Sequence, residues 1–141
     1  MRYYVINLPG RKVMKRVLVC DDDLAISEIV ALVLTDSDWE VYTLPDCNNI
    51  IEKIETINPS VIFMDNKIPD EGGIVATQII KRHPEYQEIP VVYFTANNDI
   101  NALAEQAGAD FILQKPFNIS QLEETVGKAF RAYHGNRPDM N

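Results

Sequence analysis

Basic residues are scarce in this 141-residue chain: 13 Lys and Arg stand against 21 Asp and Glu, a formal net charge of −8. Binding a phosphate backbone takes patches of Lys and Arg, so this balance argues against direct contact with nucleic acid. It suits a cation or a basic partner surface. Cysteine is rarer still. Cys20 and Cys47 match no zinc spacing and are too few for a secreted disulfide framework, so both are expected to be reduced in a cytoplasmic protein. No apolar run approaches the roughly 20 residues that cross a bilayer, and the first residues lack the apolar segment of a signal peptide; no membrane contact is expected. A Gly-rich nucleotide loop is missing, and Gly72 and Gly73 read as turn residues. The two histidines, His83 and His134, fall near helix ends and read as solvated rather than as ligand or base. Repeats, low-complexity tracts and a linker to a second domain are also missing.

What remains is enough for one domain with its own core, and an apolar content of 46% predicts that it folds. The run Val61, Ile62, Phe63, Met64 suits a strand buried on both faces, and Asp65 closes it. Similar strands are expected at Arg16–Cys20, Val41–Leu44, Val91–Phe94 and Phe111–Gln114. Between them run helical patterns. Ile26, Ile29, Val30 and Val33 mark the first helix, and Ile50, Ile54 and Ile57 the second. The third spans roughly Ile74 to Arg82. Ile100, Leu103, Ala104 and Ala107 mark the fourth, which stops at Gly108. The last opens on a capping pair, Asn118 and Gln121, and is expected to bury Ile119, Leu122, Val126, Phe130 and Tyr133. Five strand–helix units in strict alternation predict an α/β domain over residues 15–133: a parallel sheet, helices on both faces, right-handed crossovers. Residues 1–14 read as an extension, expected to be poorly ordered although Arg2 to Ile6 has the composition of a short strand, with Met14 an alternative start. Residues 134–141 read as a polar tail.

In open α/β sheets ligands gather at the carboxyl ends of the strands. Here those ends carry Asp21 and Asp22, then Asp65, then Thr95, then Lys115. At ~4 Å each pair of carboxylates repels by about 4 kcal/mol at an effective dielectric near 20, which raised pKa values or a bound cation relieve. Few carboxylates in an open loop suit Mg2+, which keeps several waters and shares phosphate oxygens. With Lys115 as a positive charge and Thr95 as a donor, the five groups suit a phosphoryl group on Asp65, a carboxylate nucleophile. Asp23 reads instead as the cap of the first helix, and Cys20, Trp39 and Tyr42 as packing residues.

These pieces resemble a response-regulator receiver domain of bacterial two-component signalling, of the chemotaxis-regulator kind. The strand Val17–Asp22 with its acidic pair, Asp65 with Pro69 four residues on, Thr95-Ala96 and Lys115-Pro116-Phe117 follow in the family's order and spacing over about residues 15 to 133. The resemblance implies a flavodoxin-like (βα)5 fold with strand order 2-1-3-4-5. It implies Asp65 as the phosphoacceptor, Asp22, Asp65 and the backbone carbonyl of Lys67 as Mg2+ ligands, and Asp21 acting on the metal through water. Thr95 and the Ala96 amide would hold phosphoryl oxygens, Lys115 would pair with another, and Lys115–Pro116 would be a cis peptide. It further implies a sensor histidine kinase or phosphotransfer protein as donor. A downstream protein or a second copy would dock on the face of the fourth helix, fifth strand and fifth helix. The chain would accept phosphate rather than turn over a substrate, as a stand-alone receiver or a piece of a longer regulator.

Two positions depart from the pattern. Ile112 stands three residues before Lys115, where the family usually has an aromatic that turns inward on phosphorylation, with Phe111 one earlier. Lys67, with Asn97, is placed to set the phosphoryl lifetime. Three rival readings stay in view: a pseudo-receiver that only binds proteins, an aspartyl-phosphate hydrolase of the haloacid-dehalogenase type, and a dinucleotide-binding module. The second expects an acid where Lys67 stands; the third lacks its glycines and would set three acids against a pyrophosphate.

Overall fold

The computed structural model describes residues 2–4, 15–67 and 72–135. Its strands are β1 (Arg2–Tyr4), β2 (Arg16–Cys20), β3 (Glu40–Leu44), β4 (Val61–Asp65), β5 (Val91–Thr95) and β6 (Phe111–Gln114). The helices are α1 (Leu24–Asp36), α2 (Ile50–Ile57), α3 (Gly72–Arg82), α4 (Ile100–Ala107) and α5 (Ile119–Gly135). The sheet runs β1-β3-β2-β4-β5-β6, and the five strands from β2 to β6 are all parallel. Their order is the expected 2-1-3-4-5, which puts the reversal between β2 and β4, beside Asp65.

Alternation along the strands divides the core in two. Leu18, Cys20, Ile62, Met64, Val91 and Tyr93 face α2, α3 and α4, meeting Ile54, Ile80 and Ala104. Val17, Val19, Val61, Phe63, Val92 and Phe94 face α1 and α5, meeting Leu34, Leu122 and Val126. Every residue of β4 and β5 is buried, as a strand covered on both faces requires. Trp39 packs edge-on to Phe130 with ring centroids 5.3 Å apart. The capping pair forms reciprocally, Asn118 N–H to Gln121 Oε1 and Gln121 N–H to Asn118 Oδ1, each at 2.8 Å.

Three expectations change. Arg2–Tyr4 pair antiparallel with Val41–Thr43, so these residues of the supposed loose arm form a sixth, edge strand; the remainder of residues 1–14 and residues 136–141 lie outside the described residues. Ile29 is exposed while Ala31 and Leu34 are buried, because α1 is apolar almost all round and spacing alone does not select its inner face. Ile119 is 59% exposed in the first turn of α5, and burial begins at Leu122.

Candidate functional site: an acidic pocket at the strand ends

Each chemical group in the pocket is delivered by a strand end. Asp21 follows β2 and is bound to the sheet by its amide, which donates to Leu44 O at 3.0 Å. Its side chain is buried with both oxygens engaged: Oδ1 accepts the Asp23 amide at 2.9 Å and Oδ2 the Lys115 ammonium at 2.7 Å. Asp22 is exposed. Asp23 caps α1, accepting the Ala25 and Ile26 amides, as its sequence position suggested.

Asp65 ends β4 with Oδ1 3.4 Å from Lys115 Nζ. One carboxylate oxygen from each of Asp21, Asp22 and Asp65 lies within 4.8 Å of the others. Burial, then the charge of Asp21, push the Asp65 carboxyl above its ordinary value; the Lys115 ammonium and the Lys67 amide, which donates to it, pull the other way. The Lys67 side chain is exposed.

Thr95 ends β5 next door. It is buried, its Oγ1 accepts the Asn97 amide at 3.2 Å, and its carbonyl accepts the Lys115 amide at 2.9 Å. Ala96 follows it, exposed, on the loop into α4. Lys115 leaves β6, and the bond to Pro116 is cis, as expected. Its ammonium lies 4.6 Å from the centroid of the Phe94 ring, which supports it from one side. Asp21, Asp22, Asp65 and Lys115 are thus brought together, with Thr95 and Ala96 one strand over. Pro69 lies outside the described residues.

Reading the sequence missed two supports beneath Asp65. A Cβ on Gly73 would come 2.1 Å from the Asp65 carbonyl oxygen, so only glycine lets α3 start this close to the strand end. The Tyr93 phenol, in the middle of β5, donates to Asn66 Oδ1. Its pKa is pushed up to about 12 by burial, then by the charge of Asp65. A tyrosine in a strand buried on both faces needs a partner for its hydroxyl, and that was the available signal.

Comparison with known proteins decides the family. A profile of the response regulator receiver domain matches residues 17–127. The chain belongs to that family. It is 30% identical over 119 residues to the CAI-1 autoinducer sensor kinase/phosphatase CqsS of Vibrio cholerae, a match covering 82% of this chain and 17% of that protein. The chain spans about half or less of the length of the curated relatives it matches. Among solved structures it is similar to the chemotaxis protein CheY4 of Vibrio cholerae, with a TM-score of 0.75 and 26% identity, covering 82% of this chain and 98% of that one. It is also similar to a beryllofluoride-activated NtrC4 receiver domain dimer, with a TM-score of 0.76 and 29% identity, covering 85% and 99%. Its fold is therefore the flavodoxin-like α/β fold of two-component receiver domains. Among the described residues no helix is long and apolar enough to cross a membrane.

Proposed function

We propose that this receiver domain is a phosphorylation-dependent switch in which Asp65 takes a phosphoryl group from the phosphohistidine of a sensor histidine kinase or phosphotransfer protein. The observation that carries the reading is the Asp65 carboxylate beside two further carboxylates, with an ammonium at 3.4 Å. An Asp65 oxygen attacks phosphorus, the nitrogen–phosphorus bond of the donor breaks, and the imidazole leaves with a proton from solvent.

The donor set fits Mg2+. Three carboxylates whose oxygens gather within 4.8 Å of one another offer the hard, all-oxygen donors that ion takes, with room for it to keep waters. Asp22 and Asp65, with the Lys67 carbonyl, would hold the ion, and Asp21, already satisfied at both oxygens, would act through water. Bound there, Mg2+ supplies charge neutralisation between the carboxylates and the incoming phosphoryl oxygens. The chain's own contribution is placement. Lys115 pairs with one phosphoryl oxygen, and Thr95 and the Ala96 amide hold others.

The new charge would bias the loop after β5, and through it the face of α4, β6 and α5. A groove of about 760 Å³ lies on that face, lined by Ala96 and Lys115 from the site side and by Ile112, Gln121 and Thr125 beyond. This continuity supports docking of a downstream protein or a second copy there, within the cytoplasm. Intact mass after incubation with acetyl phosphate and Mg2+ tests the reading. We expect one added phosphoryl group in the wild type and none in Asp65→Asn. A wild type that neither labels nor binds Mg2+ would favour a receiver that only binds proteins.

A further inference from the structure

Tyr93 is fully buried on the α2, α3 and α4 side of β5, among Met64, Ile80 and Ile100. A phenylalanine would fill such a position without a polar atom to satisfy. The phenol instead reaches across to Asn66, the residue after Asp65, and donates to its side-chain oxygen. The Asn66 backbone oxygen in turn accepts the Gly73 amide at 3.3 Å, at the start of α3. Asn66 is thereby held twice, to β5 by its side chain and to α3 by its main chain. The next peptide, at Lys67, presents its amide to the Asp65 carboxylate.

We propose that Tyr93 is a positioning residue for the chemistry at Asp65: its phenol fixes Asn66, and through Asn66 the turn that carries Lys67 against the carboxylate. This rests on the reading of Asp65 as phosphoacceptor. It adds a residue two places before Thr95 that ties the strand carrying Thr95 to the loop leaving Asp65. The hydroxyl is engaged by Asn66, so its loss acts through geometry, on cation affinity and loop opening rather than on the chemical step.

The test uses Tyr93→Phe, Asn66→Ala and the double variant in the full chain. In metal-free protein, hydrogen exchange at the Lys67 and Gly73 amides should quicken by about fivefold, the weight of one neutral hydrogen bond, with amides in the middle of β2 and β4 unchanged. Calorimetric Mg2+ affinity should fall by a similar factor, and labelling by acetyl phosphate should return to the wild-type rate at saturating Mg2+. The double variant should be no worse than either single one. Exchange at both amides and Mg2+ affinity within twofold of wild type would overturn the proposal, as would single effects that simply add in the double variant. If Tyr93→Phe does not fold, Asn66→Ala decides by the same two readings. A wild type that fails to label would count against the phosphoacceptor reading, while the exchange result would still decide whether Tyr93 holds the turn.

Discussion

At the scale of single residues, Asp65 is held in opposed fields. Burial and Asp21 disfavour its charge more than Lys115 and the Lys67 amide favour it, so its pKa rises on folding from the ordinary 3.8. A carboxyl raised in this way supports the folded state while protonated, below 3.8, and that support is lost as pH rises through the folded value. At neutral pH the ionised group is therefore a net cost to the metal-free chain. Asp65→Asn should raise the metal-free Tm at neutral pH. The gain should vanish in acid below 3.8. Thermal melts across pH check this, and a variant no more stable than wild type at neutral pH contradicts it. Lys67, exposed beside the pocket, should act on the phosphorylated state. Lys67→Asn should shorten the phosphoryl lifetime about threefold, the effect of one exposed charge pair, read by decay of the labelled mass; an unchanged lifetime dismisses the role. The acids and Lys115 were legible in the sequence because each follows an apolar strand whose end is easy to locate. Tyr93 was not, because a buried tyrosine in a strand signals that its hydroxyl has a partner without saying which loop supplies it.

At the scale of elements, the strands and helices fall where pattern placed them, and the inner face of α1 does not. Leu24, Ile29 and Leu32 are exposed on a helix that also buries Val30, Ala31 and Leu34, so period alone had no polar side from which to choose. The edge strand β1 was equally hard to read. Arg2–Tyr4 offers three paired residues, too short a run to outweigh the tendency of a terminus to stay loose. Away from the pocket, one lysine joins the end of α3 to the loop before β5 and to the turn before β6. Lys81 Nζ donates to Gln87 O at 2.9 Å and Ile89 O at 3.0 Å, and pairs with Asp110 at 2.6 Å. Asp110 also accepts the Val91 amide at 2.9 Å, fixing the start of β5. Lys81→Met should cost about 2 kcal/mol, since the ammonium is mostly buried and makes several bonds, and should leave labelling at Asp65 intact. Chemical denaturation measures the first and intact mass the second; a stability change within 0.5 kcal/mol, roughly that of a neutral surface substitution, would remove the clamp from the account.

At the scale of the whole molecule, the five parallel strands carry the acidic pocket at one edge, and a groove lies on an adjoining face. Ile112, 42% exposed on β6, stands in that groove where the family usually has an aromatic. The change on phosphorylation should therefore pass chiefly through Thr95 and the loop after β5. Amide exchange compared between phosphorylated and free protein should show slowed exchange at residues 95–99 and altered exchange in α4, β6 and α5. Identical exchange across that face would rule out a switch there. All of this depends on Asp65 being the group that carries phosphate. Borohydride reduction of the acetyl-phosphate-treated chain, followed by peptide mass mapping, converts an aspartyl phosphate to homoserine and so marks its position. Homoserine at residue 65, dependent on Mg2+, is the predicted result; homoserine at residue 21 or 22 instead, or none anywhere, would contradict the account.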